Sequence, residues 1–162
     1  MAKEIERKFL ITSDAWRFEA GSGIRMRQAV ILTQDRHMMR VRLYGDGRAR
    51  LTVKVGIDAL RRHEFEYDIP PEDAAEMLSM ALGSEIAKTR YEIHHGRHVW
   101  EIDCFEGALE GLVIAEVEME EEDLSPDLPD WLGREVTDDP RFTNQALAEG
   151  SLGENWRDVL SV

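Results

Sequence analysis

The stretch at residues 3–10, KEIERKFL, alternates charged and apolar side chains: Glu4, Glu6 and Lys8 fall on one parity, Ile5 and Phe9 on the other. Successive side chains of a β-strand point to opposite faces, so the octapeptide reads as a strand with two carboxylates and an ammonium on one face. One such strand by itself would turn its charges to water. The reading changes because the pattern recurs along most of the chain.

The spacing predicts strands at 3–10, 24–33, 37–44, 48–56, 61–69, 86–94, 97–106 and 112–121. YGDGRA (44–49) and HHGRH (94–98) supply tight turns between neighbours. PPEDAAEMLSMALG predicts a helix over 71–82, with Pro71 in its first turn and Gly83 as its stop. The last forty or so residues change character: a Pro-punctuated loop precedes two short helical stretches within 139–160. The expected fold is α+β but mainly β, an eight-stranded antiparallel closed barrel with a few covering helices, built as one domain over 1–162. The helices at 71–82 and 139–160 are expected to cover its apolar outer faces, and a homodimer is a further way to cover them.

Sorting charges by parity gives Arg40 and Arg42 in HMMRVRLY, Arg50 and Lys54 in ARLTVKVG, and Arg62, Glu64, Glu66 and Asp68 in RRHEFEYDI. Lys88, Arg90 and Glu92 follow in AKTRYEI, Glu101 and Asp103 in RHVWEIDCF, and Glu116, Glu118 and Glu120 in IAEVEMEE. Signs segregate: Glu-x-Glu marks the first and last strands, Arg-x-Arg and Lys-x-Arg the middle ones. Closing a barrel sets the first and last strands side by side, so Glu4, Glu6, Glu116 and Glu118 are expected to cluster. Clustered carboxylates repel unless a cation sits among them, and oxygen donors suit Mg²⁺, Mn²⁺ or Ca²⁺. His94, His95 and His98 read as a surface cluster at a turn, off the charged faces. The opposing cations are too many for one carboxylate and match a polyphosphate, held by Arg forks and Lys point charges.

The net charge of −13 argues against a broad basic surface for nucleic acid, but not against a basic pocket. With no apolar run of about 18 residues, no membrane helix is expected. The single Cys104 and an N-terminus without an apolar stretch suggest the cytoplasm. Trp16, Trp100, Trp131 and Trp156 read as core or interface residues.

The opening EIERKF is similar to the Glu-x-Glu-x-Lys signature of the CYTH superfamily, the triphosphate tunnel metalloenzymes. The resemblance continues in order through MRVRL, LTVK, RRHEFEY, KTRY, WEIDCFEG, GLVIAEVEME and PDWLGREVTDDPRFTN. It implies an eight-stranded tunnel that binds a triphosphate and Mg²⁺ or Mn²⁺, and short bacterial members resemble inorganic triphosphatases. Carried onto this chain, the resemblance makes Glu4, Glu6, Asp103, Glu116 and Glu118 metal positions. It makes Lys8, Arg40, Arg42, Lys54, Lys88, Arg90 and Arg134 substrate-binding positions, Arg134 being equally placed to cap the tunnel. Catalysis would fall to Lys8, Glu4, Glu6 and Glu118. The roles of Arg62, Glu64 and Glu66 stay open.

The chain departs from the pattern at RQAVIL, where Ala29 and Val30 stand in place of an expected Gly-Tyr, so a Lys–Tyr dyad with Lys8 is absent. Hydrolysis of inorganic triphosphate is the main expectation. The alternatives are a nucleoside or thiamine triphosphatase, an adenylate cyclase on the same lining, or a non-catalytic polyphosphate-binding module.

Overall fold

The computed structural model describes residues 2–57, 61–120 and 125–161, with the side chains of residues 2–4 left out. Eight strands form: β1 (Ala2–Leu10), β2 (Ile24–Gln34), β3 (His37–Tyr44), β4 (Ala49–Gly56), β5 (Arg61–Asp68), β6 (Ile86–His95), β7 (His98–Phe105) and β8 (Val113–Met119). Each lies within two residues of its expected bounds, except that Glu121, the expected last residue of β8, lies outside the described residues. Helices α1 (Pro71–Leu78), α2 (Asn144–Ala148) and α3 (Trp156–Val159) complete the set, with single 3-10 turns at Ala15–Phe18, Gly107–Leu109 and Pro140–Phe142.

The strands close into the expected antiparallel barrel, with β1 beside β8 as the charge pattern predicted, in the order β1-β5-β4-β3-β2-β6-β7-β8. Meanders β2 to β5 and β6 to β8 are joined by the β2–β6 pairing, and β1 seals the ring between β5 and β8. A register shift between Val30 and Leu32 resets the alternation late in β2.

The helix expected over 71–82 ends at Leu78. Ala74 and Leu78 bury against Val41, Ala49 and Ala29 on the outside of β2–β4, while Met80 and Leu82 are exposed. Beyond Leu78 no buried stripe rewards another turn, and the Leu82 amide donates to the Val30 carbonyl instead.

The expected covering role of 139–160 is corrected. The outer faces of β1, β6, β7 and β8 are covered by irregular segments carrying Trp16 and Trp131, which pack on Phe9, Ile93, Trp100 and Val117. The C-terminal residues instead pack on side chains of the inner parity: Phe142, Leu147, Leu152 and Trp156 join Leu10, Ile86, Phe105 and Ile114. The barrel's inner wall is apolar at that end, so burying it there removes more apolar surface from water than lying on the charged length would. The approach is set by backbone pairing: the Val136 amide donates to the Lys8 carbonyl, the Leu10 amide to the Arg134 carbonyl, and the Gly133 amide to the Leu10 carbonyl. A Cβ on Gly133 would stand 2.7 Å from the Leu10 carbonyl oxygen, so this close approach needs glycine.

Candidate active site

The barrel encloses a cavity of about 1630 Å³ lined by the inward charges of its strands. Register fixes who faces whom. Across the β1–β8 seam Glu6 stands opposite Glu118, and Lys8 opposite Glu116. Across β1–β5, Glu4 pairs with Arg62 in register. The expected carboxylate cluster is therefore interleaved with cations: Lys8 Nζ lies 3.4 Å from Glu116, and Arg62 donates to Glu6 at 3.0 Å. Glu118 sits exposed towards the mouth.

On the basic side, Arg40, Arg42 and Lys54 are buried on the inner face of β3 and β4 and line the cavity. Lys54 meets Glu64 at 3.2 Å, and Arg40 reaches the Thr52 hydroxyl at 3.5 Å. Arg50 meets Glu66 and Asp68 nearer solvent.

Two expected wall residues lie behind the wall. Lys88 is 0% and Asp103 1% exposed, and neither lines the cavity. Lys88 Nζ donates to Asp103 Oδ2 at 2.6 Å, and Arg90 grips both Asp103 oxygens through Nε (2.7 Å) and Nη2 (2.8 Å). Arg90 also donates to Glu101 at 2.6 Å and lies 3.6 Å from Glu116, so only Arg90 of this trio faces the cavity. Asp103 has both oxygens committed to cations and anchors Arg90 from outside the cavity lining. Lys88 also approaches Asn144 Oδ1, and Lys8 the Phe142 carbonyl, at 3.4 and 3.3 Å, so both lysines touch the C-terminal segment.

Arg134 stands apart. It is exposed, donates to the Val159 carbonyl at 2.9 Å and does not line the barrel cavity. His94, read as lying off the charged faces, lines the mouth beside Glu92, because it continues the parity of Lys88 and Arg90. The inner position of Val30 is buried opposite Arg40. Sequence reasoning missed Gln28, which is buried and donates nothing to the charge count; its parity in RMRQAV was the available signal.

Burial alone would lower the Lys8 ammonium, but Glu116 and Glu6 outweigh it and hold it above its ordinary range. Glu116 is opposed by burial yet pulled down to about 2 by Lys8, Arg90 and Lys88. Asp103, likewise against burial, falls well below the carboxylate range beside Arg90 and Lys88. Burial lowers Lys88 to about 7, Arg90 and Arg42 adding to it and Asp103 resisting. Burial raises Glu101 despite Arg90.

The donor set around the seam is oxygen only. Glu6, Glu116 and Glu118 come from adjacent strands, and among the described residues no cysteine or histidine joins them in a metal-holding group, which fits a hard divalent cation and not zinc. Among the described residues no three acidic or imidazole groups already converge as a preformed cage. The carboxylates lean on neighbouring cations instead.

The comparisons agree with this geometry. A protein named inorganic triphosphatase from Acetivibrio thermocellus is 41% identical over 150 residues, spanning 92% of this chain and 95% of its own length. One of the same name from Nitrosomonas europaea is 33% identical over 151 residues, spanning 90% and 96%. A solved inorganic triphosphatase structure, 32% identical, superposes with a TM-score of 0.63 over 91% of this chain and 95% of its own. A protein from Pyrococcus horikoshii, at 19% identity and a TM-score of 0.60 over 74% of this chain and 80% of its own, shares the fold. The CYTH domain model matches residues 2–143, which takes in all eight strands, and the chain belongs to the CYTH domain family.

Proposed function

We propose that this chain hydrolyses inorganic triphosphate to pyrophosphate and phosphate inside the barrel, using Mg²⁺ or Mn²⁺. The observation that carries the reading is one cavity inside the barrel with a wall of Arg40, Arg42, Lys54 and Arg90 and a carboxylate seam of Glu6, Glu116 and Glu118. The naming of relatives at 41% and 33% identity supports triphosphate as substrate.

In this reading Arg40, Arg42, Lys54 and Arg90 bind and orient the phosphate chain, fixing its terminal phosphorus for in-line attack. The water oxygen bonds to that phosphorus and gives its proton to solvent, the bridging P–O bond breaks, and its electron pair leaves on pyrophosphate. Lys8 is held protonated by Glu116 and Glu6, so it donates hydrogen bonds to phosphate oxygens and does not take the proton of water. Glu4, Glu6 and Glu118, with Glu116 beside them, would hold the divalent ion. When bound, that ion supplies charge neutralisation and an acidified water. Asp103 and Lys88 hold Arg90 in place from behind.

The cytoplasm is the expected location; no helix among the described residues is long and apolar enough to cross a membrane. The test is phosphate release from triphosphate, ATP and thiamine triphosphate with Mg²⁺, Mn²⁺ or a chelator. Triphosphate should be turned over fastest and chelator should abolish release. Metal-independent release, or none from any substrate, refutes the proposal.

A further inference from the structure

We infer that Gln28 is a positioning residue that holds Arg42 without cancelling its charge, so that this guanidinium offers the phosphate chain a full positive charge. The inference rests on the triphosphate reading and deepens it. Gln28 lies on β2 directly opposite Arg42 on β3 and is 2% exposed. Its Oε1 accepts from Arg42 Nε at 3.0 Å and Nη2 at 2.7 Å. One amide oxygen thus fixes both the direction and the plane of the guanidinium, which lines the cavity with the Tyr44 ring 5.9 Å away.

Four other cations of the lining are held by carboxylates. Lys8 closes on Glu116, Lys54 on Glu64, Arg62 on Glu6 and Arg90 on Asp103. Each pair presents a phosphate with a cation already partly neutralised. Among the described residues no carboxylate lies within ion-pair distance of Arg42. A neutral acceptor orients a donor as a carboxylate does but adds no opposing field, and at short range in a buried wall that difference is large. A Glu at position 28 would hold Arg42 at least as firmly and remove what the substrate reads. Choosing an amide sacrifices a stronger hydrogen bond for an uncompensated charge aimed into the cavity.

The test compares Gln28→Glu and Gln28→Met with the parent protein. Binding of inorganic triphosphate in the presence of chelator is followed by titration calorimetry, and turnover with Mg²⁺ by phosphate release. Gln28→Glu should unfold near the parent temperature yet bind triphosphate about tenfold more weakly, the scale of one charge-assisted hydrogen bond. KM should rise by a similar factor while kcat falls less. Unchanged affinity in folded Gln28→Glu overturns the inference. If that variant does not fold, Gln28→Met decides: its loss should vanish in an Arg42→Met background, and losses that simply add overturn the inference. A parent protein that binds triphosphate about tenfold more tightly than Gln28→Glu but releases no phosphate refutes the proposed function and supports this inference. A parent that hydrolyses triphosphate while Gln28→Glu binds it unchanged does the opposite.

Discussion

Asp103→Asn removes the one charge on which two buried cations close. Asp103 receives Lys88 at 2.6 Å and the Arg90 fork at 2.7 and 2.8 Å, and it is 1% exposed. Removing one partner of a buried ion pair costs about 3–5 kcal/mol, because the other charge is left uncompensated. Here Lys88 is left without a carboxylate while Arg90 keeps Glu101 at 2.6 Å, which puts the expected loss at the lower end, about 3–4 kcal/mol. Lys88→Met is the milder change. Asp103 keeps the bidentate Arg90 contact, so the loss should be about 1–3 kcal/mol, the scale of one missing partner. The double variant should lose less than the sum, because Lys88 is no longer there to be left unpaired. Total stability for domains is about 5–15 kcal/mol, so Asp103→Asn should bring the protein close to unfolding. The assay is urea unfolding at pH 7 followed by fluorescence of the buried Trp16 and Trp100, with linear extrapolation. A loss under about 1 kcal/mol for Asp103→Asn, or strict additivity in the double variant, would refute the view of Asp103 as a charge hub.

Other outcomes follow from the same geometry. Glu116 and Asp103 both titrate lower in the folded chain than the ordinary carboxylate range, so the unfolded state binds more protons. Their contribution should be intact above about pH 4.5 and drain away as pH falls towards 2, read as a falling urea midpoint that flattens in Asp103→Asn. Glu118→Gln should keep the fold, its side chain being exposed at the mouth, but lower Mg²⁺-supported turnover roughly 100-fold; near-parental turnover would remove Glu118 from the site. Arg134→Ala should leave KM for triphosphate within about twofold and weaken the C-terminal contact by about 1 kcal/mol. A large rise in KM would return Arg134 to the substrate.

The eight strands were legible because charge and apolar residues alternate cleanly in KEIERKFL, HMMRVRLY and ARLTVKVG, and parity is all that strand faces require. Closure was legible because like-signed Glu-x-Glu motifs at both ends of the sheet have no comfortable place apart from a shared seam. What parity could not give was depth. Lys88 and Arg90 share a face, yet only Arg90 borders the cavity, because the barrel wall turns apolar at Ile86 and the C-terminal segment packs over that end. Nor could the sequence tell an outer cover from an end closure for residues 139–160, since both bury the same apolar side chains. Gln28 stayed hidden because an uncharged residue looks like filler until its partner is known. Trp16 and Trp131 cover the barrel from segments without regular periodicity, where pattern reading has nothing to count.

The β1–β8 seam also dictates how the site comes into being. It joins residues 5–10 to residues 114–119, so the first strand made must wait for the last. Until then β1 has a free edge, and Lys8 lacks its Glu116 partner. Meanders β2–β5 and β6–β8 can form locally as they leave the ribosome, but the carboxylate seam exists only once β8 has been made. Such long-range closure makes for slow folding and a period of exposed edges. A chain truncated within β8 should therefore be an aggregation hazard with no partial activity, because the last pairing to form is also the one that builds the site.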